Sequence, residues 1–164
     1  MITSPPPSLG QRAWAARGGG AFLGTLAGDG ARVSDVAPLQ CGQIADLEHA
    51  DVFAVPPARV LKDWRQGVAV ALGRGAAPHT GSFGHAQILV AGGELDALCQ
   101  LYGEPWDVAA GAVIVTEAGG RFCDLWGGRR LDTHAFVFAN TELTAAILAT
   151  VAPQLPDPPP TALA

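Results

Sequence analysis

Apolar and polar positions along the chain predict short strands that alternate with helices. The strand-like runs are apolar at every second position or throughout, and glycine or proline bounds them. The predicted strands are residues 11–16, 51–55, 68–72, 95–101, 121–125 and 134–139. The predicted helices, counted from cap to stop, are residues 56–67, 82–92, 105–119 and 140–151. Strands that alternate with helices are typical of a layered α/β domain.

The third predicted helix is apolar around almost its whole circumference. Pro105 opens it, and Trp106, Val108 and residues 113–115 lie on several of its sides. A helix of this kind is usually buried, so we expect it to pack against a sheet. Asp107 is the one carboxylate in its first turn.

Length and composition predict one globular domain with loose ends. The chain has 164 residues, of which 49% are hydrophobic and 15% are charged, which is enough apolar material for one core. Prolines cluster near both termini, where they fix an extended backbone and cannot donate hydrogen bonds. We therefore expect disorder over residues 1–10 and 153–164 and a folded domain over residues 11–152.

Charge and hydropathy exclude several classes of partner. The formal net charge of -5 argues against nucleic acid, which needs clustered cations to release its counterions. The adjacent pair Arg129 and Arg130 follows two glycines and is interpreted as a solvated turn. No apolar run reaches the roughly 20 residues that span a bilayer, and the start lacks a signal-peptide pattern, so we expect a cytoplasmic protein. Three widely spaced cysteines indicate reduced thiols in a core.

Two local patterns have competing interpretations. The glycine run at residues 18–20 lacks the Gly-Lys-Ser/Thr ending of a phosphate loop and is interpreted as a tight turn. Asp107 is explained either by the helix dipole, which favours acids in a first turn, or by a hard cation such as Mg²⁺, which prefers carboxylate oxygens. The local sequence leaves both explanations of Asp107 open.

A longer pattern around Asp107 resembles a known family. Residues 104–120, EPWDVAAGAVIVTEAGG, resemble the carboxyl-terminal signature of the inositol monophosphatase family. AARGGGAFLG resembles the glycine turn of that family, and TGSFGHAQILVAGGELDA resembles the segment before its signature. The resemblance extends from about Gln11 to Val151, and it implies the carboxyl-terminal half of the layered α/β sandwich of the inositol monophosphatase and fructose-bisphosphatase fold.

The resemblance also implies an activity and a set of site residues. It implies a Mg²⁺-dependent phosphomonoesterase, with Asp107 as a metal ligand that also touches substrate. Gly81, Ser82 and Phe83 match the segment that contacts the sugar or inositol ring, although Ser82 is equally explained as a helix cap. Gln100 falls where some members carry a glutamate that binds substrate hydroxyls. The resemblance implies inositol monophosphate as the default substrate and leaves histidinol phosphate, fructose bisphosphate and 3'(2')-phosphoadenosine nucleotides open.

Most of the family's metal ligands have no counterpart in this sequence. They come from an acidic helix pair and an Asp-Pro-x-Asp-Gly-Ser/Thr motif that precede the matched segment. The most acidic stretch here, residues 46–51, lacks the glycine and hydroxyl of that motif. One carboxylate cannot hold two magnesium ions, so we assign no catalytic residue and expect no activity from the chain alone.

Three functions therefore stay open. The chain is half of a phosphatase whose partner is a missing amino-terminal half, a non-catalytic module that binds a small phosphorylated polyol or sugar, or an interaction protein. A half domain exposes an apolar face, so we also expect a homodimer or aggregation.

Overall fold

The computed structural model describes residues 2–4, 10–28, 30, 32–73 and 83–159. These residues form two four-stranded sheets. The first sheet is antiparallel, in the order β1-β2-β3-β4. Its strands are β1 Ile2–Ser4, β2 Gln11–Ala15, β3 Ala21–Leu26 and β4 Val33–Pro38.

The second sheet has the order β5-β6-β8-β7. β5 runs parallel to β6, and the other two pairings are antiparallel. Its strands are β5 Val52–Val55, β6 Ala97–Gln100, β7 Arg121–Asp124 and β8 Phe136–Ala139. Both faces of β6 and β8 are buried, so these central strands do not alternate between apolar and polar residues, and the one polar residue in them is the buried Gln100.

Four α-helices complete a layered arrangement. They are α1 Trp64–Leu72, α2 Phe83–Gly92, α3 Pro105–Glu117 and α4 Thr141–Val151. α2 and α3 lie between the two sheets, and α1 and α4 cover the far face of the second sheet. The expectation of a layered α/β sandwich is confirmed.

The position of α3 explains its apolar circumference. It packs against α2, against the first sheet and against β7 and β8, and it buries Val108, Gly111, Ile114 and Val115. The predicted burial of this helix is confirmed. The prediction that Trp106 is part of its buried surface is wrong, because Trp106 is 77% exposed. Trp106 belongs to the first turn, ahead of the first buried residue, and so lies outside the packed segment.

The predicted boundary at Gly67 is wrong. Residues 58–60 form one 3-10 turn, and α1 runs through Gly67 to Leu72, where we expected a strand over residues 68–72. Asp63 caps the helix by accepting a hydrogen bond from the Arg65 amide at 2.9 Å. Alternation of Val68, Val70 and Leu72 resembles a strand, yet Val70 is 52% exposed while the other two are buried against the second sheet.

Both chain ends, expected to be disordered, carry structure where they are described. β1 pairs with β2, so residues 2–4 belong to the first sheet. Residues 152–154 form a 3-10 turn, and the Trp126 indole donates to the Pro156 carbonyl at 3.0 Å. Carbonyls of a proline-rich segment still accept hydrogen bonds, and this tail uses them.

The predicted cap of the last helix and the reduced cysteines agree with the structure. Asn140 caps α4 through its Oδ1, which accepts from the Leu143 amide at 2.8 Å. The three cysteines are buried free thiols, and burial raises the pKa of Cys41 and of Cys123 to about 11. They are therefore protonated and unreactive near neutral pH. Among the described helices, none has the length and apolarity needed to cross a membrane.

Candidate functional site

The predicted site lies at one edge of the second sheet. Val55, at the end of β5, is in register with Gln100 at the end of β6, and Gln100 is in register with Phe136 at the start of β8. We call this edge, where β5 and β6 end, the carboxyl edge. α3 begins five residues after Gln100, so its amino terminus is placed close to this edge.

Asp107 is exposed in the first turn of α3. Its Oδ2 accepts a hydrogen bond from the Glu104 amide at 2.9 Å, which satisfies one of the free donors that precede a helix. Oδ1 makes no hydrogen bond to the described residues. Asp107 therefore has a capping role in addition to its favourable position at the helix dipole, and one of its carboxylate oxygens is left open to solvent.

A buried pair of amides fixes the backbone beneath Asp107. Gln87 of α2 is 3% exposed, and its Nε2 donates to the Asp107 carbonyl at 3.0 Å and to Gln100 Oε1 at 3.1 Å. Gln100 is fully buried, and its Nε2 lies 3.4 Å from the Tyr102 carbonyl. Gln100 thus reaches Asp107 through Gln87, and its side chain is not presented to solvent.

Gly111 and Gly103 leave room for the side chains of Gln87 and Gln100. A Cβ on Gly111 would lie 2.1 Å from Gln87 Oε1, and a Cβ on Gly103 would lie 2.4 Å from Gln100 Nε2. Contacts this short do not occur between real atoms, so larger residues at either position must displace an amide. The small residues of the WDVAAG stretch therefore serve the packing of Gln87.

Glu104 and His134 form a rim next to Asp107. His134 Nδ1 lies 3.1 Å from the Gly103 carbonyl and 3.6 Å from Glu104 Oε2. His134 has a φ of 59°, which is rare for a residue other than glycine and is often found at functional sites. Both side chains are partly exposed, so both are accessible to a ligand bound at Asp107.

The predicted ring-contacting segment is only partly described. Gly81 and Ser82 lie outside the described residues, so the cap and contacts proposed for them stay predictions. Phe83 is the first residue of α2. Because Gln87 lies one turn into the same helix, the backbone at Phe83 is close to the support of Asp107.

The glycine turn is fixed to the end of α3. Gly18 and Gly20 have φ values of 70° and 77°, as a tight turn of glycines predicts. Their amides donate to the two carboxylate oxygens of Glu117 at 3.0 and 3.1 Å. The interpretation of this run as a turn is confirmed, and Glu117 has a structural partner.

The acidic stretch at residues 46–51 forms a turn. Asp46 accepts from the Glu48 amide at 2.9 Å and lies 2.7 Å from His49 Nδ1, and the Glu48 bond first, then His49, lowers the pKa of the Asp46 carboxyl. Within the described residues, no three His, Cys, Asp or Glu side chains come together in a way that could hold a metal ion.

Sequence reasoning missed the most informative polar residue, Gln87. It lies in HAQILVAGG, a stretch that is otherwise apolar or small after its histidine. A buried amide must find partners, so a glutamine on the inner face of a buried helix is itself a signal of a polar contact. His134 carried no comparable signal, because a positive φ cannot be recognised from the residue type alone.

Comparisons with known proteins agree with the fold described above. The model of the inositol monophosphatase family matches residues 1–155. The Nus factor SuhB of Pseudomonas aeruginosa is 41% identical over 68 residues, which are 41% of this chain and 25% of that protein. A Streptomyces griseus protein named glucose-1-phosphate thymidylyltransferase is 33% identical over 141 residues, or 81% of this chain and 48% of its own.

A solved structure confirms the fold. The IMPase of Thermotoga maritima superimposes with a TM-score of 0.71 at 22% identity, over 93% of this chain and 55% of that one. The chain therefore spans about half the length of this relative, and half or less of the curated relatives named above.

Proposed function

Because the chain belongs to the inositol monophosphatase family, we propose that it supplies one wall of a phosphomonoesterase active site. The wall consists of Asp107, the Gly81–Phe83 segment and the buried Gln87–Gln100 pair. The substrate class is a small phosphorylated polyol or sugar, with inositol monophosphate as the first compound to test. The remainder of the site comes from polypeptide outside this chain.

One observation carries the proposal. Asp107 keeps an open carboxylate oxygen at the amino terminus of α3, while a buried hydrogen bond from Gln87 holds its backbone carbonyl. A carboxylate that served only as a helix cap would not need a buried amide pair behind it. Preorganised support of this kind is what a ligand-binding carboxylate requires.

Each group on this wall has a separate task. Asp107 Oδ1 offers one anionic oxygen to a cation. The first amides of α2, which have no acceptor within the helix, are suited to receive a ring hydroxyl or a phosphate oxygen. Glu104 and His134 bound the opening, where they can contact the hydroxyls of a polyol.

The family implies Mg²⁺, but the described residues alone do not fit that ion. A magnesium site needs near-octahedral oxygen ligands, and among the described residues no three His, Cys, Asp or Glu side chains come together to hold an ion. When bound, the ion would activate water and stabilise the leaving oxygen. Asp107 is therefore proposed as a single ligand in a shell completed by other residues.

A chimera tests the proposal. We expect the chain alone to release no phosphate from inositol 1-phosphate with Mg²⁺ present. Fusing the segment of the Thermotoga maritima IMPase that precedes its matched part to Met1, so that β1 is kept, should give Mg²⁺-dependent release. Asp107→Asn in the fusion should abolish that release, because the ion loses its anionic oxygen.

The control variant removes a different carboxylate that, like Asp107, lies in the first turn of an α-helix. Glu142 is an exposed acid in the first turn of α4, so Glu142→Gln removes the same charge from a helix amino terminus without touching the carboxyl edge. Activity of the fusion should survive this change. Full activity in the Asp107→Asn fusion, or turnover by the unfused chain, would contradict the proposal.

A second candidate function is association through the first sheet. α3 covers the face that carries Ala13 and Ala15, while Trp14 and Phe22 stack on the opposite face with ring centroids 5.9 Å apart. Val36, on edge strand β4, is 53% exposed beside that stack. An apolar face at a sheet edge favours pairing with a second copy of this chain or with the missing half.

Light scattering tests the association. We expect the chain to be a dimer or larger at tens of micromolar, and Val36→Asp to shift it toward the monomer. Val70→Asp is the matched control, because Val70 is 52% exposed on α1, away from the first sheet. A monomeric wild-type chain, or equal dissociation by both variants, would exclude this surface.

A further inference from the structure

A second cleft lies at the opposite end of α3 from Asp107. It has a volume of about 330 Å³, and Thr116, Arg121, Arg129 and Thr141 line it. Nine residues of helix separate Asp107 from Thr116, which corresponds to about 14 Å along the axis. The cleft is therefore separate from the carboxyl edge.

Positive charge in this cleft is not neutralised by the described part of the chain. The protein has a formal net charge of -5, yet two guanidinium groups, those of Arg121 and Arg129, line one small opening. The ion pairs among the described residues involve Arg65, Arg130 and two histidines, and include neither arginine of the cleft. Arg121 instead lies beside the protonated thiol of Cys123.

Two acids that neighbour the lining residues in sequence, Glu117 and Asp124, are engaged elsewhere. Glu117 accepts from the amides of the glycine turn at 3.0 and 3.1 Å. Asp124 is 1% exposed and accepts from the Trp126 and Gly128 amides, both at 2.9 Å. Neither can turn toward the arginines without breaking these bonds. Glu142 is exposed next to Thr141 and does not line the cleft.

The lining of the cleft also includes the start of a helix. α4 has eleven residues and begins at Thr141, which lines the cleft together with Arg121 and Arg129. Asn140 caps only the Leu143 amide, so the amides of Thr141 and Glu142 have no acceptor within the helix. Two arginines and the first residue of α4 thus line the same cleft.

We propose that this cleft binds a phosphoryl group, as inorganic phosphate or as the phosphate of a small monoester. Guanidinium groups match phosphate oxygens with paired hydrogen bonds, and helix amino termini favour anions. The cleft is large enough for a phosphate with a short organic group. This site is additional to the proposed active-site wall and does not depend on it.

A ³¹P NMR titration of the intact chain tests the proposal. EDTA is present, so that any cation-dependent binding at Asp107 is suppressed, and ionic strength is constant. We expect saturable binding of inorganic phosphate, of glycerol 2-phosphate, or of both, and the two probes distinguish a free anion from an ester. Arg121→Gln and Arg129→Gln should each weaken binding about tenfold, and the double variant should abolish it.

Two controls show whether binding depends on this cleft in particular. The Arg59→Gln/Lys62→Gln double variant removes the same charge from exposed positions before α1 and should leave binding unchanged. Asp107→Asn should also leave it unchanged. Circular dichroism checks that each variant is folded, and Arg129→Gln, which lies in an exposed turn, is sufficient if Arg121→Gln misfolds.

Three results would overturn the proposal. The first is no saturable binding of either probe up to about 10 mM, where a Kd of about 1 mM would already be saturated. The second is wild-type affinity in the double arginine variant, or equal weakening by the Arg59/Lys62 control. The third is loss of binding in Asp107→Asn alone, which would place the anion at the carboxyl edge.

Discussion

Phe138→Ala should lower the free energy of unfolding by about 3–5 kcal/mol, the range for removing a buried phenylalanine ring. Phe138 is fully buried in β8, between Leu98 of β6 and Phe122 of β7. Its ring centroid lies 5.0 Å from that of Phe122. The same cluster contains residues of both sheets and of α3, so a cavity at Phe138 weakens the packing between layers.

Urea unfolding measures this loss, and two further variants show that it reflects the cavity. Phe138→Leu keeps most of the volume and should cost less than about 1.5 kcal/mol. Val36→Ala truncates an apolar side chain that is 53% exposed, and it should change stability by about 0.5 kcal/mol or less. A cost below about 1 kcal/mol for Phe138→Ala would show that the neighbouring layers collapse into the space.

Core strands and α3 could be predicted because their signals are local. β8 is an uninterrupted apolar run and β6 is apolar up to Gln100, and Pro105 marks the start of α3 as clearly as two glycines mark its end. Asp107 also stood out, because one carboxylate in an apolar helix is conspicuous. What the local signal could not provide was the purpose of Asp107, since capping and ion binding require the same residue type at the same position.

Other features depend on contacts between distant segments. The alternation of Val68, Val70 and Leu72 fits a strand or one face of a helix, and only packing against the second sheet selects the helix. Gly67 lies inside α1, and its missing side chain leaves space for Gln154, because a Cβ there would lie 2.5 Å from Gln154 Oε1. This glycine therefore serves packing against a residue that is distant in sequence and does not end the helix.

The hydrogen bonds that hold the backbone of Asp107 also join segments that are distant in sequence. Gln87 and Gln100 are 13 residues apart and belong to a helix and a strand, so neither residue indicates its partner in the sequence. Resemblance to a family placed Gln100 in contact with substrate hydroxyls, whereas its side chain is buried behind Gln87. The substrate contact proposed for Gln100 is thus best tested through the residues that surround it.

Gly111→Ala provides that test, and we expect it to destabilise the protein by about 1–3 kcal/mol, the usual cost of overpacking. Helix propensity alone predicts the opposite sign, because alanine is favoured over glycine by about 1 kcal/mol inside a helix. The added Cβ would lie 2.1, 2.5 and 3.0 Å from Oε1, Cδ and Cγ of Gln87. The outer atoms of the Gln87 side chain must therefore move. The hydrogen bonds from Gln87 to Gln100 and to the Asp107 carbonyl are then lost.

A double-mutant cycle assigns the cost to Gln87. In a Gln87→Ala background the obstructing atoms are gone, so Gly111→Ala should become neutral or stabilising, and the two changes should be strongly non-additive. Ala110→Gly calibrates helix propensity in the same helix and should cost about 1 kcal/mol. Urea unfolding of the four proteins of the cycle gives the coupling free energy.

The outcome bears on the site as well as on stability. If Gly111→Ala stabilises the wild-type chain by about 1 kcal/mol, as propensity alone requires, then Gln87 moves without cost and the amide pair is not a rigid support for Asp107. If the variant is destabilised and the cycle is coupled, the backbone carbonyl of Asp107 depends on a packed amide network. In the phosphatase chimera, Gly111→Ala should then lower activity although it changes no group that touches the substrate.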